Sequence, residues 1–334
     1  MKAWGPGRPR SCRRFAWLIV LPVLVSCSGV QSALDPAGAE AAQVAALFWT
    51  MALAGLAIWA CVIAVSLYAA HRKRGPISDG AAGQIIIWAG VVFPVTVLTA
   101  LLTYALWLMP SLRPFAGVQQ ATFRIEVTGH QLWWRVVYRR ADGTSVTSAN
   151  EVRLPVGTRV EFALASADMI HSFWIPSLGG KMDLIPGRTN RLSLLATKPG
   201  VYRGQCAEFC GTGHALMAFP AIVMEPGDFQ AWLKARDRHS TDPQVGEGRA
   251  VFDRHGCGKC HSVDGVGESL AGPDLSHIGS RETVGAGLLP NTPDNLARFI
   301  ADAPALKPGI KMPSYPQLSE ADLAILATWL KGLR

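Results

Sequence analysis

Residues 44–70 carry no charged side chain, and neither do residues 84–109. At about 1.5 Å per residue each run, coiled as a helix, reaches roughly 40 Å, enough to cross a hydrocarbon core of about 30 Å with tilt. The sequence therefore predicts two transmembrane helices, at about 44–70 and 84–109. A buried hairpin of a soluble protein is the alternative, and these lengths argue against it. Trp49, Trp59, Tyr68, Trp88, Tyr104 and Trp107 include candidates for interfacial anchors. The intervening loop opens His71-Arg72-Lys73-Arg74. Cytoplasmic loops collect positive charge, so this loop is expected inside and everything after residue 110 outside.

The formal charge of +8 has to be located before it is interpreted. Lys2, Arg8, Arg10, Arg13 and Arg14 open the chain, and Arg72, Lys73 and Arg74 follow the first apolar run. Residues 15–71 hold only Asp35 and Glu40. The excess thus flanks membrane segments, where it sets topology, and no nucleic-acid partner is expected. A basic start followed by a short apolar run marks residues 1–26 as an export signal. It ends Leu24-Val25-Ser26-Cys27, which resembles a bacterial lipobox, making Cys27 a lipidation candidate. An ordinary signal with a chance cysteine stays open. Residues 27–115 form the N-terminal segment with the two spans.

From 121 to 225 the pattern changes. Residues 122–128 alternate polar and apolar with period two, and strand-like runs recur at 132–138, 158–164, 191–195 and 221–224. Asp142-Gly143, Pro155-Val156-Gly157 and Pro199-Gly200 punctuate them as turns. Short strands at this spacing suggest a β-sandwich domain over 116–235. The polar stretch 236–244 reads as a linker, opening a domain over 236–334 in which helices are expected. These are 245–255, one capped by Thr292 with Pro293 at N1 and running to about Asp302, and one from a capping box at Ser319 to Leu333.

Seven cysteines are present: Cys12, Cys27, Cys61, Cys206, Cys210, Cys257 and Cys260. The last four form two close pairs, which favours metal or haem attachment over a long-range disulfide framework. Cys206, Glu208, Cys210, His214 and Met217 lie close together, with His171 separated from Cys206 by 34 residues. Soft sulfur ligands favour Cu(I), and imidazole suits both oxidation states of copper. A single cysteine suggests a mononuclear site, whereas two cysteines spaced Cys-x-Glu-x-Cys can bridge two coppers. A shared pair spreads the charge change on reduction. A Cys206–Cys210 disulfide and a mononuclear site are the competing readings.

The segment 206–217, CAEFCGTGHALM, resembles the dinuclear copper loop of cytochrome c oxidase subunit II. HSFWIPSLGGKMDLIPGRTN from residue 171 and GHQLWWRVVY from residue 129 resemble that family too, and the likeness covers roughly 40–225. It implies a cupredoxin-like sandwich in which Cys206 and Cys210 bridge two copper ions and His171 and His214 bind one each. Met217 is then a weak ligand, and Glu208 ligates through its backbone carbonyl. The carboxylate of Glu208 is implied to reach a magnesium site shared with subunit I. There are two departures. The family's aromatic run usually starts with a tryptophan that receives electrons from soluble cytochrome c. Here that position is Leu132, followed by Trp133 and Trp134, which are candidates either for electron transfer or for packing. In the second span many relatives carry a proton-linked glutamate where this chain has Ile85.

Cys257-Gly258-Lys259-Cys260-His261 is a c-type haem attachment motif: the two thiols add to the vinyl groups, and His261 binds the iron. A zinc or redox CxxC site is the alternative. Met312 is the one methionine after His261 and the expected sixth ligand, with His277 the alternative. Gly272-Pro273-Asp274-Leu275 and Lys311-Met312-Pro313 resemble small class I cytochromes c, implying an all-α haem domain over about 243–334. His71, His130, His239 and His255 are expected to be structural or solvated, and Trp329 and Leu330 to be core.

The chain is thus expected to be multi-domain: a two-helix transmembrane hairpin, a cupredoxin-like β-sandwich and a class I cytochrome c domain. The resemblance implies an electron-input subunit of a proton-translocating cytochrome c oxidase in a bacterial plasma membrane. Its partners would be subunit I, other oxidase subunits, lipid and a soluble or membrane cytochrome donor. Tethering a cytochrome raises its effective concentration, which accounts for a tolerated loss of the receiving tryptophan. A quinol oxidase subunit lacks the copper ligands that are all present here. A nitrous-oxide-reductase-like enzyme needs a large His-rich domain that is absent. A membrane-anchored copper and haem lipoprotein for electron transfer or redox sensing, outside any oxidase, stays open.

Overall fold

The computed structural model describes residues 28–71, 75, 77–112, 121, 123–236, 246–263 and 271–334. The export signal, Cys27, Arg72–Arg74 and most of the linker lie outside the described residues.

Helix α1 (Ala39–His71) and a second helix over Asp79–Ser111 have mean hydropathies of 2.2 and 2.4 in their most apolar windows, none of which is buried within the chain. The second consists of α2 (Asp79–Ile87), a π-helical turn (Trp88–Val92) and α3 (Phe93–Leu112). Both run further than the uncharged stretches alone indicated. Ser78 caps α2 by accepting from the Ala81 amide, and Glu40 sits in the first turn of α1. Burial of these faces needs an external apolar medium, because their large side chains, Trp59 and Trp107 among them, point away from the protein.

The start of α1 is pinned to the domain that follows. Glu40 accepts from Arg159 at 2.7 Å and from the Leu195 amide. Ala37 is buried and its amide donates to the Ser177 carbonyl. The first span therefore leaves the sandwich in a defined direction.

The sandwich comprises β1 (Phe123–His130), β2 (Trp133–Arg139), β3 (Ser145–Ala149), β4 (Val152–Pro155), β5 (Arg159–Ser166), β6 (His171–Trp174), β7 (Met182–Leu184), β8 (Asn190–Leu195), β9 (Gly200–Cys206) and β10 (Ala218–Met224). One sheet runs β3-β2-β1-β5-β8 and the other β4-β10-β9-β6-β7. β1 pairs parallel with β5, and β4 parallel with β10. The period-two alternation of β1 is realised in burial, with Ile125 and Val127 at zero exposure. Trp134, Phe162, Phe173 and Phe219 fill the space between the sheets. Phe173 stacks on Phe219 with centroids 4.8 Å apart, and Trp134 meets both edge-on. Helix α4 (Pro226–Ala235), which sequence periodicity did not signal, drops Phe229 and Leu233 into the same core.

The haem-motif domain has α5 (Glu247–Arg254), α6 (Pro293–Ala301), α7 (Ala303–Leu306) and α8 (Glu320–Gly332), with short 3-10 turns at Cys257–Lys259 and Ile278–Ser280. Thr292 and Ser319 cap α6 and α8 by accepting from the Asn295 and Asp322 amides, as the sequence predicted. The domain departs from all-α in one small ladder, β11 (Thr283–Val284) with β12 (Leu289–Pro290). Its core includes Val251, Phe252, Leu296, Phe299, Leu326, Trp329 and Leu330.

Candidate metal centre and haem cavity

Three strand ends converge on one corner of the sandwich. β9 delivers Cys206, β6 opens with His171, and the pairing Phe173↔Cys206 sets them side by side. The loop after Cys206 returns through the 3-10 turn His214–Leu216 to Met217, just before β10. Cys206 and Cys210 Sγ lie 3.7 Å apart, and both are free thiols. His171 presents Nδ1 to Cys206 Sγ at 3.9 Å, and His214 presents Nδ1 to Cys210 Sγ at 3.5 Å. The Glu208 carbonyl lies 3.2 Å from Cys206 Sγ, and Met217 Sδ lies 3.7 Å from Cys210 Sγ. All six predicted donors are thus brought together, and His171, Cys206, Cys210 and Met217 are buried.

The electrostatics suit a soft cation. The hydrogen bond from Cys210 lowers the Cys206 thiol to about 4, while Cys210 is pushed up by the same pairing. Two buried sulfurs this close hold one negative charge readily and a second only with a cation beside them. Burial works against charge on His171, but Cys206 and Asp168 outweigh it and raise the imidazole. Asp168 holds that ring by its Nε2 at 2.8 Å, leaving Nδ1 facing the sulfurs. A Cβ at Gly129 would fall 2.8 Å from His171 Cδ2, so a glycine there is what admits the ring. Two thiolates, two imidazoles, a thioether and a carbonyl fit copper by donor chemistry. The half-exposed carboxylate of Glu208 stands 3.8 Å from Lys181.

The second site is a cavity of about 350 Å³ lined by Cys260, His261, Met312, Tyr315, Phe299 and Leu330 on the haem-motif side. His261 Nδ1 donates to the Pro273 carbonyl at 2.8 Å, which fixes the tautomer and leaves Nε2 free as a ligand. A Cβ at Gly272 would fall 2.7 Å from His261 Cε1, so the ring packs directly on that backbone. Cys257 is half-buried and Cys260 exposed. An apolar slot with a free imidazole nitrogen and a thioether fits a haem. His277 is not among the residues lining the cavity.

The sandwich also lines the cavity, with His130, Gln131, Leu132, Trp133, Ala167 and Asp168 among its residues. Trp133 stacks on His130 at 4.1 Å, whereas Trp134 lies in the core, 6.1 Å edge-on from His171. The two candidate tryptophans therefore face different sites.

Residues 138–225 match the family described as cytochrome c oxidase subunit II, periplasmic domain, and residues 245–334 match cytochrome c. Cytochrome c oxidase subunit 2 of Alkalihalophilus pseudofirmus is 35% identical over 352 aligned positions, covering 100% of this chain and 99% of that one. The chain belongs to the cytochrome c oxidase subunit II family. The namesake of Bacillus sp. strain PS3 is 35% identical over 64% of this chain and 63% of its own. The periplasmic domain of the Bradyrhizobium japonicum subunit II superposes with a TM-score of 0.33 at 32% identity, over 35% of this chain and 94% of that domain. As a subunit II with a cytochrome c domain, the chain is the electron-input subunit of a cytochrome c oxidase. Its family implies copper and haem, other oxidase subunits as partners, and a membrane protein with a periplasmic domain.

Sequence reasoning named the donors but missed their supports. Asp168, Gly129 and the Pro273 carbonyl carry no local pattern of their own. Gly-His-Gln at 129–131 and Gly-Pro at 272–273 were the available signals.

Proposed function

We propose that the chain takes electrons from a donor cytochrome at its haem domain and hands them on, at its copper domain, to subunit I for oxygen reduction. The observation that carries this reading is the convergence of six copper-suited donors in a sandwich that also walls the haem cavity. When bound, copper and haem iron supply one-electron couples.

In this reading Cys206 and Cys210 together would hold two copper ions, with His171 and His214 serving one each, and Met217 and the Glu208 carbonyl would complete the set. The Glu208 side chain, half-exposed beside Lys181, would help to hold a magnesium ion where the chain meets subunit I. The Cys257 and Cys260 thiols would hold the haem covalently by its two vinyl groups. His261 and Met312 would hold the haem iron. Trp134 beside His171 and Trp133 against the haem cavity are the aromatic groups offered for electron passage.

The protein residues position and shield. Asp168 and Pro273 orient the two imidazoles. Burial of the ligands excludes water and limits reorganisation. The domains lie on the outer face of a bacterial plasma membrane, exported by the signal at 1–26, anchored by two spans and by lipid at Cys27. The test is to purify the oxidase containing this chain and measure copper, covalent haem and copper spin resonance together. The expected result is two coppers per haem c in this chain, with hyperfine structure from one electron shared over both. One copper, or zinc in its place, overturns the assignment.

A further inference from the structure

Lys307 is a lysine with no exposed surface. Its Nζ donates to the carbonyl of Leu132 at 2.8 Å and to that of Gly285 at 2.7 Å. The first acceptor belongs to the sandwich and the second to the cytochrome domain, so one buried cation joins the two. Burial pushes its ammonium down to about 7; an unpaired charge there would be costly, and the two carbonyls offset that cost.

Both acceptors sit in turns with unusual backbone. Leu132 occupies the tip of the β1–β2 hairpin at φ +69°, a region that a leucine rarely adopts. Gly285, Ala286 and Gly287 all have positive φ. The strain at Leu132 is held from two sides. The amide of the preceding Gln131 donates to Asp168 at 2.7 Å. The Leu132 side chain is 1% exposed, in the ground where Gly213 meets the cytochrome domain: a Cβ at 213 would fall 2.5 Å from the Pro308 carbonyl and 2.6 Å from Leu132 Cδ1. Two further bonds cross the same seam, from the Ala218 amide to the Ala286 carbonyl at 3.1 Å and from the Glu282 amide to Glu151 at 2.8 Å. Asp168 also holds His171, so a short chain of contacts runs from His171 through Asp168 and the Gln131–Leu132 turn to Lys307.

We propose that Lys307 is a positioning residue that locks the cytochrome domain onto the Gln131–Leu132 turn, holding the haem cavity and the copper corner in one fixed arrangement for electron passage. Leucine at 132 is then part of the docking surface: the site that a receiving tryptophan would expose is covered by the chain's own cytochrome. The inference rests on the electron route proposed above.

The test compares the intact oxidase with its K307M variant by hydrogen exchange and by flash reduction of the haem. The Ala218 and Glu282 amides should exchange about tenfold faster in K307M, the loss expected from one charge-assisted hydrogen bond. The Phe299 and Ile300 amides, inside the cytochrome core, should stay as protected as before. Haem-to-copper transfer should gain a slow phase while haem absorbance and copper spin resonance stay unchanged. Equal seam exchange in the two proteins overturns the proposal. So does loosening that extends to Phe299 and Ile300, which marks Lys307 as a fold residue of its own domain. A readout that needs no variant is amine labelling of the native oxidase, which should spare Lys307 and modify Lys311, 66% exposed, four residues on. Equal labelling of both overturns the lock even where K307M does not assemble. Failure of the wild type to pass electrons from haem to copper would instead sink the electron route and leave the seam measurements standing.

Discussion

At the residue scale the candidate copper corner depends on what is absent as much as on its donors. Gly129 is directly across from the His171 ring, and an added methyl would overlap it at 2.8 Å. His171 has no room to yield, being fully buried and tied to Asp168 at 2.8 Å. G129A is therefore expected to displace the ring, at a cost of about 1–3 kcal/mol for overpacking. Copper content or the hyperfine pattern should change while the haem absorbance of the same protein stays put. Normal copper spin resonance in G129A would show that the ring tolerates the contact. The donors themselves were legible because their chemistry is local: four of six lie between Cys206 and His214. Gly129 was visible only as part of a Gly-His-Gln resemblance.

Elements of the cytochrome domain follow local rules closely. Thr292 with Pro293 starts α6 and Ser319 starts α8, because the side-chain oxygens satisfy amides that the first turn leaves open. T292A should destabilise the domain by about 1 kcal/mol and lower its melting temperature by roughly 4–8 °C, read from the haem absorbance on heating. A melting curve superimposable on wild type would mean that packing of Leu296, Phe299 and Ile300 alone holds the helix. Strands were less legible. β6 and β7 are four and three residues long, too short to show alternation. β9 alternates over its second half, with Arg203 and Gln205 less buried, but the buried positions are Gly204 and Cys206, which carry little apolar signal. Helix α4 was missed because its buried side chains, Phe229 and Leu233, make a single narrow contact with the sandwich.

For the whole molecule the seam between sandwich and cytochrome domain is the decisive feature, and it brings a pH dependence. His130 lines the cavity shared by the two and stacks on Trp133. Burial lowers its imidazole from 6.5 to about 4, with Asp168 opposing and Arg135, His171 and Lys311 adding to the shift. An unfolded chain takes up this proton near 6.5, whereas the folded one resists until about 4. The group's contribution is thus complete above 6.5 and is lost as pH falls through that window, since the unfolded state binds more protons there. The melting temperature should drop more steeply between pH 6.5 and 4 in the wild type than in H130F, which keeps an aromatic ring on Trp133 and has nothing to titrate. Parallel profiles would assign the acid sensitivity to other groups.

The sequence by itself determined the membrane hairpin, the order of the domains and the identity of the candidate ligands. Those are properties of composition, periodicity and short spacing: uncharged runs of bilayer length, alternation at 122–128, and two cysteine pairs with their histidines. Only the tertiary structure decided how the pieces face one another. No local pattern marks Lys307, and Leu132 reads as a strand residue or a lost tryptophan. Their meeting, 175 positions apart along the chain, depends on the strained hairpin tip, the left-handed turn at 285–287 and the glycine at 213 all arriving at one seam. Contacts of that kind are set by long-range packing, and no window of neighbouring residues carries their signal.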